Sequence, residues 1–115
     1  MFINLSNHPS AHWNERQTKA AQEYGEIVNI AFPDIPCNAT SAEVTDIADR
    51  YVSMITKYDN LTVHIMGEMT FTFAVVKRLK ELGIRCVAST SERRTTYTAD
   101  GVKMSEFSFV RFREY

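Results

Sequence analysis

The chain has 115 residues, of which 44% are hydrophobic and 23% charged. That is the composition of one globular domain over residues 1–115, long enough to bury about two-thirds of its unfolded surface in a core, and it excludes a disordered or fibrous chain. The net charge of −1 argues neither for nor against an anionic partner, and no apolar run approaches the roughly 20 residues of a membrane span.

Phe2 to Leu5 is an apolar strand that stops at the turn-rich cluster Ser6-Asn7-His8-Pro9. A helix follows, capped by Asn14 with Gln17 three residues on, and ending near Tyr24 before Gly25. Residues 26–30 form a second strand, and Phe32-Pro33-Asp34-Ile35-Pro36 then breaks regular structure. Thr40 and Glu43 open a second helix, in which Val44, Ile47, Ala48, Tyr51, Val52 and Ile55 keep a 3.6-residue period. Residues 61–66 are apolar on both faces, as a central parallel strand is. A third helix over Met69–Leu82 is expected to bury Met69, Phe73, Val76 and Leu79, with Gly83 ending it. Residues 84–89 form the fourth strand. Thr95 to Thr98 and Lys103 to Arg113 flank Asp100-Gly101, a hairpin expected to turn through a two-residue type I′ loop. Its Phe107, Phe109, Val110 and Phe112 are expected to be mostly buried.

Strand and helix alternate three times before a closing strand, so the fold class is α/β: a Rossmann-like parallel sheet of flavodoxin-like order 2-1-3-4, with a C-terminal β-hairpin. Cys37 and Cys86 lack CxxC or Cys/His spacing, which leaves no disulfide framework and no zinc site. Two reduced thiols, and an N-terminus without the basic start of a signal peptide, point to a cytoplasmic protein. No cofactor signature of the GxGxxG or Walker kind is present.

Ligands of open parallel sheets bind beyond the carboxyl ends of the strands. Ser6, Asn7 and His8 follow the first strand; Gly67, Glu68 and Thr70 follow the third and open a helix; Ser89, Thr90, Arg93 and Arg94 follow the fourth. A helix N-terminus offers free N–H groups, and arginine adds bidentate contacts, so the set suits phosphate. The charge is uneven in the same sense: residues 1–76 carry four Lys or Arg against nine Asp or Glu, and residues 77–115 carry nine against five. Plainer readings stand beside these. Ser and Thr at strand ends are ordinary turn formers, Glu68 also suits the helix dipole, and His12 reads as surface. His64 inside an apolar strand reads as a satisfied core residue, and Trp13 serves either core packing or base stacking.

Three stretches carry a family resemblance. They are Gly67-Glu68 through Ala88-Ser89-Thr90-Ser91-Glu92-Arg93, the close Phe107-Ser108-Phe109-Val110-Arg111-Phe112-Arg113-Glu114-Tyr115 after Asp100-Gly101, and the opening Leu5-Ser6-Asn7-His8-Pro9 with Gln17. The chain resembles the small CRISPR-associated ring nucleases in these segments. It departs from their pattern at Glu68, where Asp is usual, at Met69-Thr70 in place of a Phe-Gly step, and at Phe109 in place of a histidine. The resemblance implies a CARF-like domain that dimerises, binds a cyclic oligoadenylate second messenger, and cuts the ring without metal through a ribose 2′-OH. In that scheme Ser6, Asn7, Ser89, Thr90 and Arg94 hold the ligand, and Gly67 and Thr70 cradle phosphate. Arg93 stabilises charge at the cleaved phosphate, while His8 shuttles a proton and Glu68 orients a ribose hydroxyl or activates the nucleophile. A non-catalytic nucleotide sensor and a protein-interaction module are the alternatives. No duplex nucleic acid and no membrane is expected as a partner.

Overall fold

The computed structural model describes residues 1–115. Five strands, β1 (Phe2–Ser6), β2 (Ile27–Ala31), β3 (Thr62–Met66), β4 (Arg85–Tyr97) and β5 (Lys103–Glu114), alternate with α1 (Glu15–Gln22), α2 (Ser41–Ile55) and α3 (Met69–Glu81) until the last two strands, which are consecutive. They form one sheet of order β2-β1-β3-β4-β5. β1 pairs in parallel with β2 and with β3, and β3 pairs in parallel with β4. β5 closes the edge antiparallel to β4. The sheet is therefore mostly parallel with a C-terminal hairpin, as its alternating pattern predicts. No helix is long and apolar enough to cross a membrane.

Local chemistry sets the helix starts. The Asn14 side chain accepts from the backbone N–H of Gln17 at 2.9 Å and caps α1. Thr40 and Glu43 form a complete capping box at α2. In α3 the expected face is half right: Val76 and Leu79 are buried as expected, but Met69 and Phe73 are not. Met69 and Phe73 are 83% and 69% exposed, while Phe71, Val75 and Leu79 are fully buried beside Val76. The run from Phe71 to Val76 is apolar at most positions, so two stripes compete at helical spacing. The one at i, i+4, i+8 wins because it meets the sheet.

The two faces of the sheet differ. Ile3, Leu5, Val63, Ile65 and Cys86 point to one side and join the buried residues of α2 and α3 in the main core. Phe2, Ala21 and Val87 make a smaller cluster on the other side, with Trp13, Tyr24, Ile27 and Phe112 packed against it. Alternation puts Asn4, Ser6 and His64 on that second side as well, covered by the short α1, the segment before it and Phe112 of β5.

β4 does not end at residue 89 as its Ser-Thr-Ser run suggests; it continues to Tyr97 as a partner of β5. β3 pairs with it only over Arg85 to Val87, so the rest leaves the sheet as a two-stranded arm in which every residue from Ser91 to Phe107 is exposed. Thr90, Thr95 and Thr96 are β-branched, and a partner strand overrides their turn preference. The register shifts between Thr90 and Ser91, where the Thr90 hydroxyl donates to the Arg111 carbonyl at 3.0 Å and accepts from the Arg111 N–H at 3.2 Å. That side chain replaces a ladder partner at the bulge. The hairpin turn also differs from expectation. Gly101 N–H donates to the Thr98 carbonyl and Thr98 N–H to the Val102 carbonyl, each at 2.9 Å. Gly101 has φ +78° and Asp100 does not share a positive φ. A type I′ turn needs positive φ at both central residues, so this is a three-residue loop, a type I turn closed by glycine in the left-handed region. Of the hairpin aromatics, Phe109 is buried and Phe112 half-buried, but Phe107 is 71% exposed on the arm.

Candidate functional site

A pocket of about 560 Å³ opens at the carboxyl ends of β1 and β3, beside β4. Ser6, Asn7, His8, Gly67 and Ser89 line it, so five of the residues read from the strand ends converge there. His12, Trp13, Gln17 and His64 line it as well.

Beneath it runs a polar row. Asn29, Asn4 and His64 are register partners on β2, β1 and β3, which brings three polar side chains into line on the face that α1 covers. Asn4 is 1% and His64 2% exposed, so their polar atoms need partners. The Asn4 amide donates to the His8 carbonyl and to Asn29 Oδ1, both at 2.9 Å. Its Oδ1 accepts from the Ser6 hydroxyl at 2.8 Å and contacts His64 Nδ1 at 2.8 Å. Asn29 Oδ1 also accepts from the Ser10 backbone N–H at 3.0 Å, and Asn29 Nδ2 donates to the Ser10 hydroxyl at 2.8 Å. The backbone groups orient the whole row. A backbone N–H at Ser10 requires the Asn29 oxygen, and a carbonyl at His8 requires the Asn4 nitrogen, which leaves Asn4 Oδ1 facing His64. His64 Nδ1 must then carry the proton, and Nε2 bears the lone pair.

Burial, with a smaller contribution from the nearby His8, pushes the His64 pKa down to about 4. The imidazole is therefore neutral at physiological pH. Its Nε2 is buried without a hydrogen-bond partner, and so is Nε1 of Trp13. The two rings pack edge to face with centres 5.7 Å apart, flanked by Phe2 and Phe112. His64 is thus not the satisfied core residue that its apolar strand suggests. Its signal in the sequence is the matched polar position in each of three apolar strands, visible only once their register is known.

The remaining residues from the sequence are placed elsewhere. The Glu68 carboxylate caps α3, accepting from the Thr70 hydroxyl at 2.7 Å and from the N–H groups of Phe71 and Thr70 at 2.8 and 3.1 Å. These bonds hold its pKa below the usual carboxylate range, that to Phe71 contributing most. The helix terminus expected to cradle phosphate is filled by the chain's own anion, and Thr70 is committed to it. Gly67 has a packing role too: a Cβ there would run into the Phe32 ring, which lies edge to face on Phe71. The Ser89 hydroxyl points at Met66 Sδ, 2.8 Å away. Arg93 lies on the arm, donating to the Ser105 hydroxyl at 3.2 Å, and Arg94 pairs loosely with Glu92 at 3.9 Å. Neither arginine lines the pocket of its own chain. Nowhere do three or more His, Cys, Asp or Glu side chains gather as a metal ion would require.

A larger groove of about 690 Å³ lies between α2 and α3. It runs along the flanks of the two helices from their N-termini at Ser41 and Met69 to Glu81 and holds no buried polar group, so the smaller pocket is the better candidate site. The model of the Uncharacterized protein MJ1673 family matches residues 1–113, and the chain belongs to that family. No curated protein matches it.

Proposed function

We propose that this member of the MJ1673 family is a Rossmann-like, CARF-like domain that binds a cyclic oligoadenylate in its strand-end pocket and cleaves the ring. The observation that carries this reading is the pocket itself. Hydroxyl, amide and imidazole groups from the ends of three parallel strands converge there around the chain's one tryptophan. That combination suits phosphates, riboses and a stacked base. In the cleavage step a ribose 2′-oxygen attacks the adjacent phosphorus and the P–O5′ bond breaks. The 2′ proton passes to a base and the 5′ oxygen takes up a proton, leaving a 2′,3′-cyclic phosphate. His8, exposed at the pocket rim beside His12, is our assignment for the group that moves those protons.

The ligand is shared by two copies of the chain. Tyr97, Val102, Met104 and Phe107 expose apolar area along the arm, and a lone two-stranded ribbon is marginal in water without a surface to pack on. Two copies joined through their arms supply that surface, and the arm carries Arg93 and Arg94 with it. Since Arg93 does not line its own chain's pocket, a second reading, a sensor that binds the ring and leaves it intact, has specific support. One experiment separates them. Cyclic tetra-adenylate incubated with the protein should bind and yield linear products on chromatography. An intact ring recovered after binding assigns the sensor, and no binding by calorimetry removes both readings.

A further inference from the structure

We propose that the floor of this pocket is a hydroxyl-recognition site, where one ribose hydroxyl accepts from the Trp13 indole N–H and donates to His64 Nε2. The inference rests on the nucleotide reading above and deepens it to the group that tells a ribonucleotide from a deoxyribonucleotide. An indole N–H only donates, and an imidazole whose Nδ1–H is spent on Asn4 only accepts at Nε2. Both atoms are buried without partners, both belong to residues lining the same pocket, and the rings are in edge contact. Each unmade bond costs the desolvation of its group, so a ligand that supplies both gains twice.

Few groups can do so at a single atom. A phosphate or carbonyl oxygen satisfies Trp13 but sets lone pair against lone pair at His64. An amine satisfies His64 and opposes the indole N–H. A hydroxyl does both. The Watson–Crick edge of adenine presents the two roles on neighbouring atoms, but both protein atoms are closed to water here, and a single oxygen enters with less displacement than a purine. Trp13 is half-buried, at the end of the short turn Ser10–His12 that precedes α1. Tilting its ring off the imidazole opens the way.

The low basicity of His64 fits recognition better than proton abstraction. At neutral pH it stays an acceptor and does not become a second donor, so the discrimination is not lost to protonation. Asn4 is the positioning residue, because its Oδ1 fixes which ring nitrogen carries the proton.

The chain has a single tryptophan, so its indole N–H gives one identifiable signal in a nitrogen–proton correlation spectrum. Adenosine at millimolar concentration should move that signal and the His64 Nε2 resonance. 2′-Deoxyadenosine should bind about ten-fold more weakly than adenosine, as expected for one lost hydrogen bond, while 3′-deoxyadenosine, which keeps the 2′-hydroxyl, should not. His64→Asn keeps a donor toward Asn4 while lacking Nε2, and Trp13→Phe keeps the ring while lacking the N–H. Each should erase the difference between ribose and deoxyribose with the fold retained by circular dichroism. Equal binding of all three nucleosides, or discrimination that survives both substitutions, overturns the inference. If adenosine moves the indole signal while cyclic tetra-adenylate does not bind, the ring ligand is wrong and the hydroxyl site stands. If neither moves it, both readings fall.

Discussion

The two faces of the sheet come from the same strands and bury opposite things. Toward α2 and α3 the strands present Ile3, Leu5, Val63 and Ile65, all at 0% exposure, in a core that needs no polar partner. Toward α1 they present Phe2 and then Asn4, Ser6 and His64, a polar row whose members satisfy one another except at His64 Nε2. The first face holds the fold and the second holds a pocket. The difference lies in the cover: α2 and α3 run 15 and 13 residues, while α1 runs 8. The short helix leaves the carboxyl end of its face open.

The largest effect expected from this contrast is on the apolar face. Ile65→Ala should cost about 2–5 kcal/mol, the usual penalty of emptying a fully buried aliphatic position. Urea denaturation measures it. Surviving folded protein should still bind whatever the pocket takes, since Ile65 faces away from it. A loss below about 1 kcal/mol would mean that α2 and α3 do not hold the sheet.

How much of this was legible in the sequence follows the same division. Apolar periodicity and caps locate the strands and α2, because those signals act within a few residues. The phase of α3 was not legible, since Met69 and Phe73 look as apolar as Phe71 and Val75, and only the docked sheet chooses between them. The continuation of β4 past Ser89 was hidden for a related reason: a Ser-Thr-Ser run reads as a turn until β5 is there to pair with it. At the pocket, Ser6, Asn7, His8, Gly67 and Ser89 were found from the rule that ligands sit past strand ends. His64 was missed because its partners, Asn4 and Asn29, are distant in sequence and adjacent only through register. Glu68, Thr70 and Thr90 were located but carry structural bonds that spacing cannot reveal.

A smaller effect sharpens the contrast through pH. His64 has a folded pKa of about 4 against 6.5 unfolded, so the unfolded chain takes the proton more readily. Stability from this group is complete above pH 6.5, falls as pH drops toward 4, and stays at its reduced level below. At roughly 1.4 kcal/mol per unit the loss is about 3 kcal/mol. His8 is the titratable neighbour that adds to the shift. Denaturation midpoints of the parent and of His64→Asn, taken from pH 7 to pH 4, should diverge, with the variant the flatter of the two. Parallel curves would mean that the polar face is wetter than its burial implies.

The smallest effect on stability is expected on the arm, where it matters most for assembly. Phe107 is 71% exposed, lies opposite Arg93 in the β4–β5 register and belongs to neither buried cluster, although it lines the pocket rim, so Phe107→Ser should change unfolding free energy by no more than about 0.5 kcal/mol. The same substitution removes one of four apolar side chains that the arm shows to solvent, and interface aromatics carry a disproportionate share of binding energy. Sedimentation at micromolar concentration should therefore find the parent dimeric and the variant shifted toward monomer, with both equally folded. A monomeric parent refutes the dimer outright. A dimer that ignores Phe107→Ser places its interface elsewhere, the apolar groove flanked by Met69 and Phe73 being the next surface to substitute.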